Sequence, residues 1–155
     1  MLNPIKRIVQ FNQDAGLLDK GYDDFLESSF QIEEALEGFP LFSLCDKLGK
    51  VYNPYANPKE MSRYIMKQTQ GLSGVELSDV DRLDKACDSV VYAIGSMAKL
   101  GLSAQEITQA LNIVMDKNLE KLKNKSYDAE GKLLKDPSFV GPEAQLQLLL
   151  DKRAK

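Results

Sequence analysis

No histidine occurs anywhere in this chain, and that absence removes more chemistry than any other feature of the composition. Ser-His-Asp and Cys-His catalysis, imidazole zinc sites and the Glu-x-x-His motifs of di-iron bundles all require it. A metal here would be held by oxygen donors, and carboxylates favour hard ions such as magnesium or manganese. The Gly-x-x-x-x-Gly-Lys-Ser/Thr phosphate loop is missing as well. Cysteine is scarce: Cys45 and Cys87 are too few for a disulfide scaffold, which points to a reducing cytosol. There is no excess of positive charge. The formal net charge is -3 and the pI near 5.1, against the basic patch expected of a protein that binds a nucleic-acid polymer. No run approaches the ~18 apolar residues of a membrane span. The opening "MLNPIKRIVQFNQ" lacks the apolar core of a signal peptide.

What is present reads as globular and helical. Hydrophobic residues make up 43% and charged residues 28%, ordinary values for a folded chain, and 155 residues suit one domain with a real core. "NPIKRIVQFNQDAG" offers Asn3 as an N-cap, Pro4 at the first helical position, and Ile5, Ile8, Val9 and Asn12 at turn spacing before Gly16. A second helix is expected from about Tyr22 to Gly38, with Phe25, Ser29, Ile32 and Leu36 along one side. The stretch from 40 to 74 is an irregular insert, with one short helix at "PKEMSRYIMKQTQ". A third long helix, roughly Ser78 to Leu100, carries Val80, Leu83, Cys87, Val90, Val91, Ile94, Met97 and Ala98. Gly101 stops it and Ser103 caps the next, which places Ile107, Leu111, Val114 and Leu122 on its apolar stripe. A tail from about 124 to 155 reads as a loop or short hairpin followed by a terminal helix. The expected class is all-α, a bundle of about four to six helices.

The carboxylates fall in a pattern. "FQIEEALEGF" sets Glu33, Glu34 and Glu37 among apolar neighbours at spacings of one, three and four, so they share one helix face. Asp81, Asp84 and Asp88 repeat the spacing on the third long helix, on a line that continues through Val91 to Gly95. Taken alone, either cluster is a solvated helix face. Two such faces opposed across a half-buried seam would repel each other, and divalent cations between them would reverse the sign.

Together these motifs resemble the MazG-like, all-α nucleoside triphosphate pyrophosphohydrolases, whose relatives include dimeric dUTPases and phosphoribosyl-ATP pyrophosphohydrolases. The family's Glu-Glu-x-x-Glu motif matches Glu33, Glu34 and Glu37, and its second acidic motif matches Asp88 before "SVVYAIGSMAKLGL". "VMDKNLEKL" is similar to the family segment that places an asparagine and a lysine at Asn118 and Lys121, and "YDAEGKLLKDPSFVGPE" to a tail matching Gly131, Lys132 and Lys135. The likeness runs from about Ile8 to Pro142. One departure is plain. The usual second motif is Glu-x-x-Asp, yet Lys85 stands three before Asp88, so Asp84 is taken as the fourth ligand in its place.

The resemblance implies hydrolysis of a (deoxy)nucleoside triphosphate to the monophosphate and pyrophosphate, in nucleotide-pool house-cleaning or phage nucleotide metabolism. It implies Glu34, Glu37, Asp84 and Asp88 as ligands of on the order of two or three Mg²⁺ or Mn²⁺ ions, and Glu33 as the residue that aligns or deprotonates water. Asn118, Lys121, Lys132 and Lys135 would bind phosphate oxygens; Tyr92 would lie near the nucleotide, and Asn12, with Gln13, would read the base. It further implies a bundle completed as a homodimer or homotetramer. Two other readings stand beside it: a phosphoribosyl-ATP pyrophosphohydrolase, and a non-enzymatic acidic helical module that binds a basic partner.

Overall fold

The computed structural model describes residues 2–38, 57–69, 77–128, 133–134 and 136–153; most of the irregular insert lies outside them. Among the described residues there are six α-helices and no strand: α1 Pro4–Asp14, α2 Asp24–Glu37, α3 Pro58–Thr69, α4 Asp79–Lys99, α5 Ala104–Lys121 and α6 Glu143–Lys152. An isolated antiparallel bridge joins Tyr127 to Leu133 where the hairpin is expected. No described helix is long and apolar enough to cross a membrane.

Local chemistry sets the ends of these helices. Asn3 Oδ1 accepts from the Ile5 and Lys6 amides at 3.0 and 3.2 Å, and Pro4 follows at the first position, where its missing N–H costs nothing. Asp23 caps α2 through the Leu26 amide at 3.0 Å. Ser78 with Asp81 and Ser103 with Glu106 form reciprocal capping boxes at the starts of α4 and α5. Gly16 (φ +67°) and Gly101 (φ +86°) take the left-handed conformation that ends α1 and α4, a conformation costly for a residue with a Cβ.

The chain divides into two compact units, residues 21–76 and the remainder. In the larger unit α5 is the hub, in contact with α1, α4 and α6. Its inner face buries Ile107, Ala110 and Met115, joined by Ala15, Leu102 and Leu149. Full burial of an aliphatic side chain contributes about 1.5–3 kcal/mol. Arg7 fastens α1 to α5: its guanidinium donates to the Asn112 carbonyl at 3.1 Å, to Asn112 Oδ1 at 2.7 Å and to the Asp116 carboxylate. Asn112 in turn donates to the Leu2 and Thr108 carbonyls, both at 3.0 Å. Tyr127 donates to the Ala15 carbonyl at 2.7 Å, and Arg153 to the Leu100 carbonyl at 2.7 Å, which ties the tail back to both helix ends.

The smaller unit is built on α2 packed against α3. Its buried side chains among the described residues are Ser29, Glu33 and Ser62, all polar. Ser29 Oγ donates to the Phe25 carbonyl at 2.6 Å and Ser62 Oγ to the Lys59 carbonyl at 2.8 Å, so both hydroxyls are satisfied within their own helices. Small side chains at these points let the two backbones come close.

Both capping boxes carry a pH signature. The Ser78 hydroxyl and amide bond the Asp81 carboxylate and hold it below its ordinary 3.8; Ser103 does the same for Glu106 below 4.5. Each carboxyl is therefore more acidic folded than unfolded, so its contribution is complete above the unfolded value and lost as pH falls through the lowered one. The expected outcome is a shallower fall of Tm between about pH 5 and pH 3 in the Asp81→Asn/Glu106→Gln variant than in wild type, measured by circular dichroism. Equal slopes would contradict it.

Candidate metal and phosphate site residues

Three glutamates within one turn and a half of α2 have two different fates. Glu33 is buried at the α2–α3 interface, whereas Glu34 and Glu37 are exposed. The buried carboxylate is countered by Arg63 of α3, thirty positions away, whose Nη1 lies 3.4 Å from Glu33 Oε2. The same Nη1 donates to Ser62 Oγ at 3.1 Å, and the guanidinium sits over the Phe30 ring, 5.3 Å from its centroid. Hydrogen bond, ion pair and cation–π contact thus converge on one cation between the helices. The inward face of α2 keeps the expected line through Phe25, Ser29, Ile32 and Leu36 at least half-buried and extends beside it to take in Glu33. A carboxylate can occupy that face because a guanidinium meets it there.

Glu34 and Glu37, three apart on the outward side, make no hydrogen bond or ion pair among the described residues. On α4, Asp84 and Asp88 are both exposed and one turn apart. Lys85, at the expected glutamate position, is exposed, with its ammonium 3.9 Å from the carboxylate of its neighbour Asp84. Asp81 is spent on the capping box. The donors are hard, anionic and accessible, which is the chemistry a Mg²⁺ or Mn²⁺ ion takes. Among the described residues, no group of three acidic or cysteine side chains is gathered closely enough to hold an ion. Glu34 and Glu37 belong to the smaller unit and Asp84 and Asp88 to the larger.

Asn118 and Lys121 lie together, one turn apart on α5: Lys121 Nζ donates to Asn118 Oδ1 at 2.7 Å and sits over the Phe139 ring, 5.4 Å from its centroid. Tyr92 is exposed on α4. Asn12 is half-buried, its Nδ2 donating to the Ile8 carbonyl at 2.8 Å, and Gln13 is exposed. Gly131, Lys132 and Lys135 lie outside the described residues.

Two functional neighbours escape a reading by motif. Arg63 stands in a short helix with nothing local to mark it, and only the burial of Glu33 reveals its task. Phe139, in the tail, is the ring under Lys121. A glutamate on a mostly inward line is the available clue that a cation must lie opposite.

Removing one member of the buried pair strands the other. Glu33→Gln or Arg63→Met is expected to cost about 3 kcal/mol in urea denaturation, and the double variant to recover much of the loss. Glu34→Gln and Glu37→Gln, on the exposed side, should leave stability within about 0.5 kcal/mol of wild type.

No protein-family model matches the chain, and no curated protein or solved structure is significantly similar to it.

Proposed function

We propose that this chain is a metal-dependent nucleoside triphosphate pyrophosphohydrolase of the MazG-like kind, working in the cytosol as a homodimer or homotetramer. The observation that carries the reading is the division of the α2 glutamates. Glu33 is turned inward and fixed by Arg63, and the accessible carboxylates of Glu34 and Glu37 are turned outward side by side, clear of any structural ion pair among the described residues. A helix face made only for solvation has no reason to anchor one of its three acids through a buried guanidinium.

In this proposal Glu34, Glu37, Asp84 and Asp88 hold Mg²⁺ or Mn²⁺. Bound metal would neutralise the triphosphate and acidify a coordinated water. Glu33 adjoins the ligands on the same turn and is the residue assigned to align the attacking water or take its proton, a role that requires its carboxylate to leave the buried pairing with Arg63. Attack at the α-phosphorus breaks the bond to the bridging oxygen, and pyrophosphate leaves. Asn118 and Lys121, already hydrogen-bonded to each other, present an amide and an ammonium to phosphate oxygens, with Lys132 and Lys135 as further cations. Tyr92 and Asn12 are the residues assigned to the nucleoside. The exposed apolar side chains of α4 support assembly into an oligomer.

The test is pyrophosphate release from the common rNTPs, dNTPs and dUTP with Mg²⁺ or Mn²⁺. Release from at least one substrate is expected; none from any refutes the reading. Glu37→Gln and Asp88→Asn should each lower kcat by about a hundredfold or more while circular dichroism stays unchanged. Wild-type turnover in either would remove that residue from the ligand set. Mn²⁺ should also raise the Tm of wild type in a saturable way, and an acidic interaction module without a metal site would show no such gain.

A further inference from the structure

Three helices of the larger unit leave a gap that their own side chains do not fill. A half-open cavity of about 200 Å³ lies where α4, α5 and α6 meet, and no polar surface lines it. Its floor is the buried trio Leu102, Ala110 and Leu149. Met97, Leu111 and Leu146 are half-buried in its walls, and Leu100, 56% exposed, stands at its rim. Packed interiors rarely keep a void larger than a water molecule. Water does not settle in this one, because an ordered water needs about two to four polar partners. The chemistry that fits the walls is hydrocarbon.

The rim carries a positive charge. Arg153, just past the end of α6, donates from Nη1 to the Leu100 carbonyl at 2.7 Å, and its Cδ runs beside Gly101 in the turn between α4 and α5. That is the guanidinium's one hydrogen bond among the described residues, so its other N–H groups are open to an anion. The acids nearby are already engaged: Ser103 bonds Glu106, and Gln147 bonds Asp151. Against them stand Lys99, Lys152 and Arg153.

We propose that the cavity is a binding site for a medium-chain aliphatic carboxylate, with the chain in the cavity and the carboxylate on Arg153. A guanidinium presents paired N–H groups that match the two oxygens of a carboxylate. An apolar cavity of about 150 Å³ holds benzene. The somewhat larger space here takes a chain of roughly six to eight carbons. A neutral hydrocarbon would leave the arginine unused, and a purely polar anion such as phosphate would leave the apolar walls wet. The site lies wholly within the larger unit and is independent of the nucleotide chemistry.

The test is a titration of the full chain with sodium butanoate, hexanoate and octanoate, followed by amide and methyl NMR shifts. Saturable binding is expected, tightening about fourfold per added methylene until the cavity is full. Nuclear Overhauser contacts should join the octanoate chain to the methyl groups of Met97, Leu111 and Leu146. Arg153→Gln, at an exposed position, should weaken octanoate about tenfold and leave binding of 1-octanol unchanged. Leu146→Phe, which fills the cavity, should remove both ligands while its helical circular dichroism is retained. If that variant loses its helix signal, the contacts and Arg153→Gln decide. No saturable shift in wild type overturns the site and gives the cavity to side chains of this chain or of a second copy. Contacts confined to other residues overturn its location. Equal affinity of octanoate for wild type and Arg153→Gln overturns the carboxylate assignment.

Discussion

The ion pair between Glu33 and Arg63 is the interaction on which the smaller unit and the candidate site both depend. A carboxylate taken out of water is tolerated only beside a counter-charge, and the Arg63 guanidinium, which also donates to Ser62, supplies that between α2 and α3. Among the described residues the buried side chains of this unit are two serines and a glutamate, with Phe25, Phe30, Ile32 and Leu36 of α2 half-buried. The ion pair also fixes the rotation of α2 about its axis. With Glu33 inward, Glu34 next to it is turned about 100° away to the exposed side, and Glu37, on nearly the same line as Glu33, is exposed at the last position of the helix.

The larger unit follows a different logic. Its apolar core is gathered around α5, and the polar anchors are peripheral: Arg7 on Asn112 and Asp116, Tyr127 on Ala15, Arg153 on Leu100. These bonds close the ends of helices whose inner faces are already packed. Helix α4 contributes little to that core, with Gly95 and Met97 half-covered and the rest of its apolar line exposed.

Much of the fold is legible in the order of residues, because helix boundaries are decided within a few positions of themselves. Asn3 with Pro4, the capping pairs Ser78 with Asp81 and Ser103 with Glu106, and the stops at Gly16 and Gly101 are all local chemistry. The same holds for Asn118 and Lys121, whose spacing on one helix is enough to bring them into contact. The acidic clusters are legible as clusters for the same reason. Their individual roles are not, because two glutamates on neighbouring lines of a helix are equivalent until a second helix distinguishes them.

The sequence by itself determined where the helices begin and end and which residues share each face, since caps, stops and a period of 3.6 residues per turn act over short range. Only the tertiary structure decided which way α2 turns. Periodicity gave a face through Phe25, Ser29, Ile32 and Leu36, which is buried or half-buried, and the packed interface extends it to enclose Glu33. The reason is a guanidinium thirty positions away, and the partner of a buried charge is fixed by the packing of helices, which spacing along one helix does not encode.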